Sequence, residues 1–151
     1  MADRFSLRFE GGKELAANLR TLAAPIQREI ILDALEAAAE PMRNRMSQLA
    51  PREPGRPDLA DNIGISVANR IGDVGGGRWQ ARHDEEHAVA VGPTKNFFYG
   101  IFQEYGTSRH GAQPFMRPAF DSTHQTSLSI LSQRLWQAVS GRSISPTGRN
   151  L

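Results

Sequence analysis

The segment His83-Asp84-Glu85-Glu86-His87 is the densest set of side chains in the chain that could bind a metal or move protons. Two histidines four residues apart, with carboxylates between them, resemble the spacing of a helical zinc site. The zinc-protease motif requires glutamate directly after the first histidine, however, and Asp84 stands there. The following Ala88-Val89-Ala90-Val91 also indicates a strand rather than a helix. We therefore favour a solvated charged turn that enters a strand, and a metal hydrolase using His83 and His87 stays a minor alternative.

Other residue types that could support catalysis occur without the neighbouring residues that catalysis requires. A phosphate-binding loop requires a lysine and a hydroxyl residue that open a helix, whereas Gly75-Gly76-Gly77 is followed by Arg78-Trp79-Gln80. A flexible hairpin tip is the better interpretation. The remaining candidates are isolated: His110, His124, Ser108 and Ser122. The histidines have no partners at ligand spacing, and the serines lack the glycine frame of a hydrolase nucleophile. We expect no catalytic residue, no cofactor and no bound metal.

The composition indicates one soluble domain. A chain of 151 residues can bury a core without a disulfide or metal, and it contains no cysteine. This absence excludes thiolate zinc sites and cysteine nucleophiles, and it fits a reducing compartment. No run approaches the roughly 20 apolar residues of a membrane span, and Met1-Ala2-Asp3-Arg4 does not resemble a secretory signal. We expect synthesis in a cytoplasm and no membrane contact.

The chain has a small surplus of arginine without a dense basic cluster. The formal net charge is +2 and the calculated pI is about 9.5. A diffuse surplus is more often a solvated surface than a nucleic-acid footprint, although a basic nucleic-acid-binding module remains an alternative. Seven residues are candidate partner contacts: Arg52, Arg56, Arg78, Trp79, Arg82, Arg142 and Arg149.

The first half of the chain predicts a strand followed by a long helix. Phe5, Leu7 and Phe9 alternate with polar residues, which is typical of a half-buried strand. From Lys13 to Leu49 apolar residues recur at intervals of three and four, which predicts a long amphipathic helix. Pro25 should break this helix near residues 22–24, because proline removes a hydrogen bond and clashes with the preceding turn. Pro41 should bend the second piece without ending it.

The middle of the chain predicts a connector and two strands around a hairpin. Prolines and glycine make residues 50–59 a stiff, irregular connector. Ile63, Ile65 and Val67 alternate with small residues and predict a strand, and residues 88–91 predict another. Gly72 to Glu86 lies between them as a hairpin that could act as a partner-specific arm.

The last third predicts a short helix, a rigid loop and a closing helix. Phe98, Ile101, Phe102 and Tyr105 fall at helical spacing and are expected to belong to the core. Pro114 and Pro118 then bracket a loop that should form the corner into the last helix, with Gly141 as its C-cap. Residues 142–151 have the composition of a flexible tail. The predicted organisation is one domain over residues 1–141 followed by this tail.

The order of these features resembles the head-tail joining or tail-completion (neck) proteins of long-tailed bacteriophages, the family named after the tenth gene product of a lambdoid phage. The opening of the long helix, the Ala-Pro connector and the Val-Gly-Pro turn follow the pattern of that family. The most specific stretch runs from Glu-x-Gly-Thr to Pro-Phe-x-x-Pro-Ala. Its residues here are Glu104, Tyr105, Gly106, Thr107, Pro114, Phe115, Arg117, Pro118 and Ala119.

The resemblance implies a structural virion protein with an α+β fold. It implies an antiparallel sheet of about four strands, packed by a long kinked N-terminal helix and a C-terminal helix. It further implies a ring, expected to be a hexamer, at the neck of the virion, with a head connector or stopper and a tail terminator or tail-tube protein as neighbours. DNA would pass through the channel without sequence-specific contacts. A tail terminator is the alternative within the same class. Phe115 and Met116 are interpreted as buried anchors of the last helix, with interface hot spots as the alternative.

Overall fold

The computed structural model describes residues 12–52, 58–67 and 87–142, with the side chains of Val67, Gly141 and Arg142 excepted. The described elements follow one another as α1 (Gly12–Arg20), α2 (Ala24–Leu49), β1 (Ile63–Val67), β2 (Val89–Pro93), α3 (Gly100–Tyr105) and α4 (Met116–Arg142). Short 3-10 turns at Leu59–Asn62 and Lys95–Phe97 precede β1 and α3 respectively. The architecture is α+β and mainly helical.

The break predicted in the long helix is present. α1 ends at Arg20 and α2 begins at Ala24, with Pro25 in the first turn of α2. Proline is well tolerated there because the N–H it lacks would have no partner inside the helix. α2 then continues through Pro41 to Leu49 as predicted, so this second proline does not end the helix.

The two long helices pack against each other through small residues. Ala34, Ala38 and Ala39 are buried on α2, and α4 is the element with which α2 makes its most extensive contact. Alanine has almost no side-chain bulk, so it allows two helix axes to approach closely. The same helix also supports both strands, and α2 is therefore the central support of the fold.

The described sheet has two antiparallel strands, not the four that the resemblance implied. Ile63 pairs with Pro93, Ile65 with Val91 and Val67 with Val89. The strand predicted at residues 5–9 and the hairpin predicted at residues 72–86 lie outside the described residues. The predictions for residues 63–67 and 88–91 are confirmed, with β2 extending to Pro93.

The core consists of two clusters at different positions along α2. The first joins the end of α2, the turn before β1 and the start of α4, through Met46, Ala50, Leu59, Ala60, Ile63, Phe115 and Ala119. The second joins α1, the beginning of α2 and the end of α4, through Leu15, Leu19, Ile30 and Val139. α4 therefore contributes to both clusters, one near each of its ends.

Two predictions about the last third of the chain are wrong. Phe98, Phe102 and Tyr105 were expected in the core, yet each is more than half exposed, because Phe98 lies before α3 and the six residues of α3 do not turn Phe102 and Tyr105 inward. Only Ile101 of that set is half-buried. Gly141 was expected to cap the last helix, but α4 continues through it to Arg142. A glycine near a helix end lowers helix propensity without requiring the helix to stop.

Candidate functional site

The corner between α3 and α4 is organised by the carboxylate of Glu104. Its Oε2 accepts hydrogen bonds from the backbone N–H of Phe115 at 2.7 Å and of Met116 at 2.8 Å. Its Oε1 accepts a third from the N–H of Arg117 at 3.0 Å. The Glu104 residue is only 7% exposed, so these bonds form largely away from water. Glu104 thus ties the end of one helix to the beginning of the next.

This arrangement accounts for every N–H group that opens α4. The first four N–H groups of a helix have no partner inside it, and here they belong to residues 115–118. Glu104 accepts three of them, and Pro118 has no N–H to satisfy. The first bond within the helix then runs from the N–H of Ala119 to the carbonyl of Phe115, at 3.2 Å. A carboxylate at this position also interacts favourably with the positive end of the helix dipole.

The loop between the two helices depends on Gly106. Its φ is +73°, in the region that residues with a Cβ rarely adopt. A Cβ placed there would lie 2.8 Å from the amide nitrogen of Ala112 and 2.9 Å from the carbonyl oxygen of His110. This close approach lets the loop fold back onto α3, where the N–H of Gln113 donates to the carbonyl of Gln103 at 2.7 Å.

Thr107 stabilises the turn inside this loop. Its backbone N–H donates to the carbonyl of His110 at 2.8 Å, and its Oγ1 accepts from the N–H groups of Arg109 and His110 at 3.2 and 3.1 Å. The Glu-x-Gly-Thr part of the signature is therefore a set of backbone supports. Glu104 accepts hydrogen bonds from the first N–H groups of α4, Gly106 adopts a positive φ, and Thr107 stabilises the turn.

The second half of the signature supplies the core contact. Phe115 and Ala119 are both completely buried in the first cluster, one helical turn apart. The interpretation of Phe115 as a buried anchor of α4 is confirmed. By contrast Pro114, Arg117 and Pro118 are exposed. With Tyr105 they line an open cleft of about 750 Å³ that also contacts Asp121.

A second cleft, of about 450 Å³, lies between β2 and the helices. Its apolar lining comes from four elements, and Met42, Met46, Ile101, Met116 and Phe120 are prominent in it. Methionine side chains adapt to neighbours of different shapes, so such a lining suits an apolar contact more than a specific small molecule. Glu104, Tyr105 and Arg117 line both clefts.

An aromatic face lies beside the corner and is defined here by Phe98, Phe102 and Tyr105. Their exposed fractions are 53%, 52% and 59%. The rings of Phe98 and Phe102 contact each other edge to face, with centroids 6.3 Å apart. Large apolar side chains exposed together, rather than singly, are typical of surfaces that bind a partner.

Exposed basic residues accompany the aromatic face. Along the chain, Lys95 precedes the aromatic face and Arg109 follows it. Arg117 lines the first cleft together with Tyr105. None of the three forms an ion pair with another described residue. Arginine and aromatic residues together are the composition enriched in protein interfaces.

Of the residues proposed from the sequence as partner contacts, Arg52 is the one whose side chain lies within the described part of the chain. Arg52 is exposed and its Nη1 lies 2.6 Å from Oδ2 of Asp58, across the connector. Arg56, Arg78, Trp79, Arg82 and Arg149 lie outside the described residues, as does the side chain of Arg142.

Sequence reasoning recognised the signature but missed what Glu104 does and where the aromatic residues lie. A signal for the first was present. Glu104 is the one acidic residue between residues 94 and 120, two residues before Gly106 and shortly before the proline-bracketed loop. An acid in an otherwise basic and neutral stretch is a candidate for a helix cap, since carboxylates favour helix N-termini.

The residues considered for catalysis do not assemble in the described ranges. No group of three or more side chains that could hold a metal ion occurs there, and His87 is exposed. His83 lies outside the described residues. None of the described helices is long and apolar enough to span a bilayer.

Comparison with known proteins agrees with the resemblance seen in the sequence. No curated protein and no solved structure matches the chain significantly. The sequence model of the bacteriophage HK97 gp10-like family, described as a candidate tail component, matches residues 13–106. The match spans α1 to the end of α3 and includes Glu104, whereas residues 114–119 lie beyond it. The chain belongs to the HK97 gp10-like family of bacteriophage proteins.

Proposed function

We propose that this protein forms an oligomeric ring at the head-tail interface of a long-tailed phage, where it completes the tail and joins it to the DNA-filled capsid. The family is one of structural tail components and not of enzymes. The observation that carries the proposal is the aromatic face, which is more than half exposed on a corner fixed by Glu104. A rigid apolar surface loses little entropy on docking, which suits a permanent joint.

The proposed partners follow from this position. Copies of the chain contact each other around the ring, which we expect to be hexameric. A head connector or stopper contacts one side, and a tail terminator or tail-tube protein contacts the other. DNA passes through the central channel without base-specific contacts. The protein is part of the virion neck after assembly in the host cytoplasm.

Particles made without this protein test the proposal. In a phage whose gene for this chain is disrupted, we expect DNA-filled heads and separate tails of normal length, and joining should be restored by adding purified protein. Wild-type particles should contain the protein, as mass spectrometry of purified virions would show. Normal infectious particles that lack the protein would refute the proposal.

A tail terminator is the second candidate within the same class. The same particles distinguish the two, because a terminator stops the polymerisation of the tail tube. Tails of irregular length, seen by electron microscopy, would favour the terminator. Tails of uniform length that fail to bind heads would favour tail completion.

A nucleic-acid-binding module is the candidate from a different class, supported by the exposed basic residues near the aromatic face. A protein that neutralises several phosphates loses affinity steeply as salt rises. We expect no binding to duplex or single-stranded DNA that survives physiological salt. Tight binding with a steep salt dependence would favour this candidate instead.

A further inference from the structure

The outward face of α2 carries acidic residues that form no ion pair with another described residue. Residues 29–40 contain four acids and no base: Glu29, Asp33, Glu36 and Glu40. Glu40 accepts from Arg43, with 2.6 Å between its Oε2 and Nη2 of the arginine. The other three are exposed and form no ion pair with any described residue. We call Glu29, Asp33 and Glu36, together with the exposed Ile26, the acidic face.

This acidic face is unfavourable for an isolated helix. Its acids follow one another at intervals of four and three residues, which places them side by side on the helix surface. Like charges at these spacings repel and destabilise a helix. Ile26 is 37% exposed at the beginning of the same face, so an apolar side chain adjoins the charges.

The aromatic face has the opposite charge. Between residues 94 and 120 the sole acid is Glu104, and its carboxylate is buried and occupied by the three N–H groups of α4. The exposed charges of this stretch, on Lys95, Arg109 and Arg117, are all positive. Asp121 lines the first cleft together with Arg117, and it is the exposed acid among the residues that line this cleft. No ion pair joins these basic residues to Glu29, Asp33 or Glu36 within one molecule.

We propose that the aromatic face of one copy docks onto the acidic face of the next copy. Phe98, Phe102 and Tyr105 would form the apolar centre against Ile26, and the basic residues would pair with Glu29, Asp33 and Glu36 around it. This inference rests on the proposed ring and names its contact surfaces. Two different faces of the same chain give a head-to-tail contact, which is the kind that closes into a ring. Aromatic and arginine side chains in the centre with charges at the edge match the usual anatomy of an interface.

A second copy fits the aromatic face better than nucleic acid does. Bases stack on aromatic rings that present their flat surfaces, whereas Phe98 and Phe102 contact each other at an interplanar angle of 79°. Only one of the two rings can then lie parallel to a given base. Each copy of the chain also carries one acidic face, so every aromatic face has a surface of opposite charge available to it.

Two variants that complement each other test the contact. Variant A carries Phe102→Glu and Arg117→Glu, which damages the aromatic face only. Variant B carries Asp33→Lys and Glu36→Lys, which damages the acidic face only. Each variant alone should remain monomeric in analytical ultracentrifugation, at concentrations where the wild type forms higher oligomers. An equimolar mixture should form dimers that grow no further, because A retains the acidic face and B retains the aromatic face.

A matched control separates this contact from a general effect of charge. Glu14→Lys reverses an exposed acid on α1 that belongs to neither face, and should leave association unchanged. Circular dichroism should show that A and B remain folded. Since the chain has no cysteine, the double variant Glu29→Cys/Arg109→Cys, which keeps the three aromatic residues and Ile26, also allows a specific test. A short bis-maleimide should crosslink it into ladders, whereas each single variant should give at most dimers.

These outcomes test the docking of the two faces separately from the proposed function. Absence of both oligomers and ladders at concentrations up to about 1 mM would overturn the docking of these faces, since even a weak contact would be populated there. Oligomers formed by variant A or B alone would overturn it as well, as would DNA binding to the aromatic face without self-association. If the protein is nevertheless present in virions and required for joining, the ring uses other surfaces. If it is absent from virions, the proposed function itself fails.

Discussion

Replacing Glu104 by alanine tests whether the carboxylate holds the corner between α3 and α4. The N–H of Phe115 lies in the core, and leaving a buried donor unpaired costs about 1–3 kcal/mol. The N–H groups of Met116 and Arg117 are half-buried, so water can replace part of their bonds to the carboxylate. The substitution also removes a favourable negative charge from the helix N-terminus. With both effects, we expect Glu104→Ala to lower the free energy of unfolding by about 2–5 kcal/mol. That is a large part of the stability of an ordinary domain.

Glutamine at position 104 has nearly the shape of glutamate but only one acceptor oxygen. It therefore separates the effect of side-chain shape from that of the number of acceptors. Oε2 serves two of the three donors, so an amide oxygen placed there could retain the bonds from Phe115 and Met116. The amide NH₂ would then face the N–H of Arg117, donor against donor. We expect Glu104→Gln to cost about 1–2 kcal/mol, less than alanine. The control is Asp121→Asn, an exposed carboxylate beyond the first turn of α4, which should cost less than about 0.5 kcal/mol.

Urea unfolding followed by circular dichroism gives the three free energies, and hydrogen exchange locates the effect. In Glu104→Ala the amides of Phe115, Met116 and Arg117 should exchange faster before any global unfolding. If alanine and glutamine both fall within about 0.5 kcal/mol of wild type, the cap does not stabilise the fold and the reasoning is wrong. Equal losses for Glu104→Gln and Asp121→Asn would show that charge, and not hydrogen bonding, is what matters.

Three further substitutions test other parts of the structure in the same unfolding assay. Phe115→Ala empties a fully buried site and should cost about 3–5 kcal/mol; a loss below 1.5 would mean that the side chain is not in the core. Gly106→Ala should cost about 1–3 kcal/mol, because its Cβ meets the backbone at 2.8 Å and φ is positive; an unchanged midpoint would contradict this geometry. Ser66→Ala should be neutral or stabilise by up to about 1 kcal/mol, because the buried Oγ has no partner in the described residues; a clear loss of stability would reveal a hidden partner.

The helices and strands of the described residues could largely be predicted from local patterns. Apolar spacing and Pro25 correctly located α1, α2 and the break between them. Alternation correctly located both described strands, since each has one face against α2. The resemblance implied about four strands, whereas the described residues contain two, and the further strand predicted at residues 5–9 lies outside them.

The site was predicted less well, for a physical reason. Helical spacing shows which residues share a face, but it does not show whether that face turns toward the core. Phe102 and Tyr105 belong to a helix of only six residues, Phe98 lies just before it, and Ile101 is the half-buried member of the set. The role of Glu104 depends on donors 11 to 13 residues away, which become its neighbours only when the loop folds back.

The cap made by Glu104 has a consequence for how the family can vary in sequence. Its three donors are all backbone N–H groups, which every residue except proline provides. The cap therefore constrains the residue at position 104 strictly, but hardly constrains the side chains at positions 116 and 117. Arg117 can change its identity to suit a new binding surface while the helix beneath it stays in place. Deep mutational scanning with folding stability as the readout should show tolerance at position 117 beside intolerance at position 104, so the surface can change while the fold is kept.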